Sequence, residues 1–170
     1  TVDELIKVLP GPDFPAGGII VDDGLREAYE TGRGTIRIRA QAHVESLGRG
    51  KQAIIITELP YMVGPERVIS KLKDLNETGK IPGVSDFKNL SDRHTGLRIQ
   101  ITVKSGHNPQ VLLNDLYRTT PLEESFSFNN VVLVDGEPKT LNLYDLCNHY
   151  IQHRLDVVVR RTKFRRQKAA

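Results

Sequence analysis

Basic side chains recur at alternate positions in one short stretch of the chain. Arg33 stands between Gly32 and Gly34, and Arg37, Arg39 and His43 interleave with Ile36, Ile38, Ala40, Ala42 and Val44. Side chains two apart in an extended strand share a face, so this pattern predicts one strand with an apolar side and a basic side. Arginine offers planar, forked donors that match a phosphate, and flanking glycines let backbone approach an anion closely. The chemistry implied is phosphate contact by Arg33, Arg37, Arg39 and His43. The same residues also suit the solvated face of an edge hairpin, where basic side chains discourage pairing with other chains.

A second basic cluster closes the chain. Residues 154–168 hold Arg154, Arg160, Arg161, Lys163, Arg165, Arg166 and Lys168 against Asp156 alone, a local charge of +6. The whole chain carries +3, so the remainder sums to about −3. That asymmetry points to an anionic partner met locally. Arg154, Arg160, Arg161 and Lys163 lie nearest the body of the chain and are the candidates here. Pairing with acidic residues on a neighbouring helix is the competing reading.

No set of residues spaced for catalysis stands out. Gly32-Arg33-Gly34 fits neither the dinucleotide fingerprint nor the Walker loop. His149 and His153 are four apart without the glutamate of a zinc-protease helix, and His43, His94 and His107 are scattered. Glu58, Asp86 and Asp92 show no pairing that would make an acid–base dyad. Cys147 is the only cysteine, which excludes an internal disulfide and a four-cysteine metal site and fits a reducing cytosol. Its place on an apolar helical stripe reads as a small buried hydrophobe. We therefore assign no catalytic and no metal residues.

The elements that must carry the basic clusters follow from periodicity. Val2, Leu5, Ile6 and Leu9 predict a helix ended by Pro10-Gly11-Pro12, and residues 12–15 extended or turned. A short apolar run, Gly17–Val21, leads through a turn at Asp22-Asp23-Gly24 to a brief helix, Leu25–Glu30. After the basic strand, Leu47-Gly48-Arg49-Gly50 makes a turn into Ala53–Thr57, a β-branched run buried on both faces. Gly64-Pro65 opens a helix with Val68, Ile69, Leu72 and Leu75 inward, and Gly79 stops it. Residues 81–96 read as a loop, followed by a strand alternating at Leu97, Ile99, Ile101 and Val103.

Asn108-Pro109 caps a helix with Val111, Leu112, Leu116 and Tyr117 inward, ended by Pro121. Asn130–Leu141 reads as a hairpin around Asp135-Gly136. Asn142 caps a long helix whose stripe is Leu143, Leu146, Cys147, Tyr150 and Ile151. Past Arg154 the stripe thins into charge, so that half projects toward solvent, a partner or nucleic acid. The fold class expected is α+β: a small, largely antiparallel sheet packed with helices, then a long C-terminal helix. No apolar run approaches the roughly 20 residues of a membrane span, so no membrane partner is expected. The start at Thr1 reads as a cut inside a longer protein.

Five stretches carry a resemblance: Gly11–Pro15, Tyr29–Gly34, Ile56–Tyr61, Leu112–Tyr117 and Arg160-Arg161-Thr162. In this order they resemble the A subunit of bacterial type IIA topoisomerases, DNA gyrase and topoisomerase IV. The resemblance implies a tower-type α/β domain over 1–141 and the start of a coiled-coil helix, cut short, over 142–170. It implies a parent enzyme that breaks one duplex through a tyrosyl phosphodiester, passes a second and reseals the first with ATP. The matching stretches hold no counterpart of the nucleophilic tyrosine, so this chain alone is expected to be inactive. Its implied part is to position double-stranded DNA. The implied partners are the ATPase B subunit, through which Mg and ATP act, plus a second copy of the A subunit; no cofactor is expected in this chain. Cytoplasmic, nucleoid-associated location follows. Thr120–Phe128 departs from the gyrase pattern and tilts the reading toward topoisomerase IV. A protein-interaction scaffold without DNA contact is the alternative function, and an autonomous enzyme a third.

Overall fold

The computed structural model describes residues 1–21 and 24–169 and divides into two compact units. The turn expected at Asp22-Asp23 lies outside the described residues. Among the described residues there are five helices and nine strands, so the α+β class holds. The first unit comprises Thr1–Gly11, Asp23–Ile36 and Ser127–Ala170, and the second Pro12–Asp22 and Arg37–Phe126.

The second unit is a sheet covered by helices. Strands β3 (Gln41–Gly48), β4 (Lys51–Glu58), β5 (Val84–Asn89) and β6 (Ile99–Val103) form an antiparallel sheet in the order β3-β4-β6-β5. The run predicted to be buried on both faces is the central β4, where Ala53, Ile54, Ile55 and Ile56 are all inaccessible. Helix α3 (Pro65–Glu77) contributes Val68, Leu72 and Leu75 to the core, and α4 (Pro109–Thr119) contributes Leu112, Leu113 and Leu116. Gly79, in the left-handed region, ends α3: the Gly79 N–H donates to Asn76 O and the Lys80 N–H to Leu75 O, the paired closure of a Schellman motif.

Three expectations change here. The single strand expected over 35–44 is two: β2 (Arg33–Arg39) and β3 lie in different sheets, separated at Ala40. The Ala40 N–H donates to Leu122 O (2.8 Å) and its carbonyl accepts the Tyr117 hydroxyl (3.0 Å), so its backbone is spent on long-range partners instead of a ladder. Part of the expected 81–96 loop is β5, an edge strand with a bulge between Val84 and Asp86. On α4, Val111 faces out and Leu113 takes the inward position. Beside these, Glu123–Asn129 forms a strand, β7, that completes a three-stranded sheet in the order β1-β2-β7, where β1 is Ile19–Val21.

In the first unit, α1 (Val2–Val8) starts at a capping box between Thr1 and Glu4, and α2 (Leu25–Thr31) buries Leu25, Ala28 and Tyr29. The expected hairpin is β8 (Val131–Val134) and β9 (Glu137–Thr140), turned through Asp135 and Gly136, both at positive φ. Helix α5 (Leu143–Ala169) starts where the Asn142 side chain accepts the Asp145 N–H at 2.8 Å, as the sequence predicted. It buries no residue along its length. Cys147 is exposed, which corrects its assignment as a buried hydrophobe; Tyr150 and Ile151 are also half or more exposed.

Candidate nucleic-acid interface

Arg37 and Arg39 are two apart on β2 and therefore emerge on one face, opposite buried Ile36 and Ile38. In the second unit both reach the same carboxylate. Arg37 Nη1 donates to Glu123 Oε1 at 3.1 Å, and Arg39 Nε donates to Glu123 Oε2. The Arg39 guanidinium also lies over the Tyr117 ring, 5.0 Å from its centroid. Burial raises the Tyr117 phenol above its ordinary pKa; nearby Arg39 opposes that and Glu123 adds to it. The phenol stays protonated and keeps donating to Ala40. Three residues past Glu123, Phe126 joins Phe14 and Tyr61 in an aromatic triangle with centroids 5.0–5.9 Å apart. These contacts fix the first part of β7 from both of its faces.

His43 does not share that site. It lies on β3, where its Nε2 meets Glu45 Oε1 at 2.8 Å, and Arg98 closes on Glu45 with its two Nη atoms at 2.6 and 3.3 Å. The Arg98 hydrogen bonds, then the His43 contact, hold the Glu45 carboxyl below the usual glutamate range. The face expected to join Arg37, Arg39 and His43 is thus split between two sheets by the break at Ala40.

Arg33 is exposed in the first unit, its N–H held by Thr31 Oγ1 at 3.1 Å. The glycines around it answer to packing. Gly32 is the left-handed cap of α2 (φ 77°), and a side chain there would strike Leu141 O. A Cβ on Gly34 would come within 2.8 Å of Ala28 N. Gly32 O accepts the Asn130 N–H at 2.9 Å, which ties the β8–β9 hairpin to the loop.

On α5, Arg154, Arg160, Arg161 and Lys163 are all exposed, and Arg160 pairs with Asp156 at 3.0 Å. At 100° per residue, Arg154 and Arg161 share one face and Arg160 and Lys163 another. The four form two pairs rather than one patch. Sequence reading missed Glu123, Tyr117, Glu45 and Arg98 as members of these clusters. Tyr117 carried a signal in its inward position on α4; Glu123 carried none, because its partners are more than 80 residues away. Among the described residues no three of His, Cys, Asp and Glu gather as metal ligands.

These features define an α+β chain of small antiparallel sheets and helices that ends in a long, exposed, basic helix. The family model for the A subunit of DNA gyrase/topoisomerase IV matches residues 1–170, and the chain belongs to that family. It is 42% identical over 170 residues to the DNA gyrase A subunit of Staphylococcus epidermidis (strain ATCC 12228 / FDA PCI 1200), a match covering 99% of this chain. The DNA gyrase A subunit of Staphylococcus aureus (strain MRSA252) matches to the same extent. The chain spans 19% of the length of these relatives. Both are named gyrase, so the tilt toward topoisomerase IV finds no support. The segment behind that tilt is largely β7, whose Glu123 and Phe126 have structural partners in the second unit.

Proposed function

We propose that this chain positions double-stranded DNA within the A subunit of a type IIA topoisomerase, with residues 1–141 as a tower-type domain and 142–170 as the start of a coiled-coil helix. The observation that carries the reading is the pair of guanidiniums of Arg37 and Arg39, set side by side on Glu123. Such a pair offers planar donors at a fixed spacing to backbone phosphates, contacts that orient a duplex without reading its sequence. Bending a duplex costs on the order of 1–6 kcal/mol over 20–30 base pairs, and flanking phosphate contacts offset it. Arg33, His43, Arg154, Arg160, Arg161 and Lys163 complete the proposed contact set.

Cleavage, strand passage and resealing belong in this reading to the whole cytoplasmic, nucleoid-associated enzyme, in which an ATP-hydrolysing B subunit works with a second copy of the A subunit. Mg and ATP act there and not through this chain. A scaffold reading has its own support in the partly exposed Leu146 and the exposed Cys147, Tyr150 and Ile151 of α5, an apolar stripe suited to a partner helix.

The test is duplex affinity of the chain against an Arg33/Arg37/Arg39→Ala triple variant over a salt series. Each phosphate contact contributes about −0.9 to the slope of log affinity against log salt. The reading expects weak, sequence-independent binding whose slope flattens in the variant; equal slopes would transfer the function to α5 or to the scaffold.

A further inference from the structure

We propose that Glu123 is the positioning residue of the strand's phosphate-binding pair, holding Arg37 and Arg39 in the orientation that meets DNA; this rests on the DNA reading above. Its side chain is only 16% exposed, while those of Arg37 and Arg39 are 41% and 37% exposed. The acid is therefore set beneath the guanidiniums, which still reach solvent. Each carboxylate oxygen takes one of them. A guanidinium engaged through Nε, as Arg39 is, presents its end-on pair of Nη donors to a second planar acceptor. Tyr117 supports the same guanidinium on one face, and its hydroxyl is anchored at 3.0 Å on Ala40 O.

Two arginines two apart on a strand repel each other and carry many rotamers. A shared carboxylate removes both effects before the ligand arrives. It does so at the expense of one positive charge beside a polyanion, and the two effects of Glu123 on DNA affinity therefore have opposite signs. Immobilising a rotamer-rich side chain weighs about two- to tenfold in affinity. With two arginines involved, positioning outweighs the single, solvent-screened charge.

The experiment is duplex-DNA titration of Glu123→Gln and of Arg37/Arg39→Ala in this chain, with thermal unfolding of each and the Arg39 Nε–H resonance as a second signal. Glu123→Gln raises the net charge by one, yet we expect binding to weaken about three- to tenfold and the Arg39 Nε–H signal to move upfield. Glu123→Asp keeps the charge on a shorter arm, is expected to fall between Gln and Glu, and carries the test if Glu123→Gln does not fold. If Glu123→Gln or Glu123→Asp binds as tightly as the parent or tighter while Arg37/Arg39→Ala binds less, Glu123 is no positioning residue and the DNA reading stands. If Arg37/Arg39→Ala binds like the parent, the strand-face reading fails and this proposal with it.

Discussion

The two basic regions differ in what holds their cations. On β2, Arg37 and Arg39 are tied to a mostly buried carboxylate and one is stacked on an aromatic ring, in a unit whose sheet and helices share an inaccessible core. On α5, the arginines extend from a helix of 27 residues that buries none of them, and a single i,i+4 contact with Asp156 restrains Arg160. The strand region holds its arginines at a fixed spacing, whereas the helix region leaves most of its arginines unrestrained. Recognition that needs a fixed spacing belongs to the first, and salt-sensitive attraction of an anionic partner to the second.

The largest expected effect separates the two regions by stability. Leu116→Ala, from an inaccessible position on α4, should destabilise the second unit by about 2–5 kcal/mol, the usual range for a large-to-small change in a core. Ile151→Ala on α5 should stay within about 0.5 kcal/mol, because that side chain is half exposed already. Urea denaturation of both variants reads the contrast. A substantial loss at Ile151 would mean that α5 is buried in solution, against its exposed state here.

Next in size is Gly32→Ala. A left-handed backbone costs a non-glycine residue about 1–2 kcal/mol, and the added Cβ would also strike Leu141 O. We expect a loss of about 2 kcal/mol or more, with Gly136→Ala, where a Cβ meets nothing within 4 Å, costing only the backbone part. Equal losses at the two glycines would remove the steric account of why Arg33 lies between glycines.

These contrasts also show which parts of the fold were legible in the sequence. Apolar alternation located Ile36, Ile38, Ala40, Ala42 and Val44 on the inner side, and all five are buried or half-buried. It could not locate the break at Ala40, because the parity of the buried positions continues across it. The break is made by Leu122 O and the Tyr117 hydroxyl, both about 80 residues away. β5 and β7 escaped for the opposite reason: Val84 and Phe87 are out of strand period, and the alternation of Phe126 and Phe128 with serines in Glu123–Asn129 is too short to mark a strand beside two glutamates. Val111 and Leu113 were exchanged because they flank Leu112 at about 100° on either side, and only Leu116, about 40° toward Leu113, decides which flank meets the core. For the site, the arginines were legible as cations and their carboxylate was not, since an ion pair across the sheet leaves no local pattern.

Salt dependence sharpens the comparison at the level of single contacts. Removing Arg37 or Arg39 should lower the salt slope of DNA binding by up to about 0.9 each, as one phosphate contact is lost. Arg154→Ala and Arg161→Ala, on one face of α5, should change it by less. Arg160→Ala should change it least, because Asp156 already neutralises that side chain. The reverse order would assign the duplex to the helix.

The smallest expected effect is an acid dependence in the second unit. Arg98 and His43 hold Glu45 below the usual glutamate range. A carboxyl with a depressed folded-state pKa binds protons more readily in the unfolded chain, so its contribution is complete above the ordinary range and is lost as the pH falls through the lowered value. Glu45→Gln should therefore lower the melting temperature slightly at neutral pH and leave it unchanged well below the carboxylate range, making the acid limb shallower. His43→Gln tests the share carried by histidine. It should reproduce part of that flattening, because the ring's hydrogen bond to Glu45 favours the charged carboxylate.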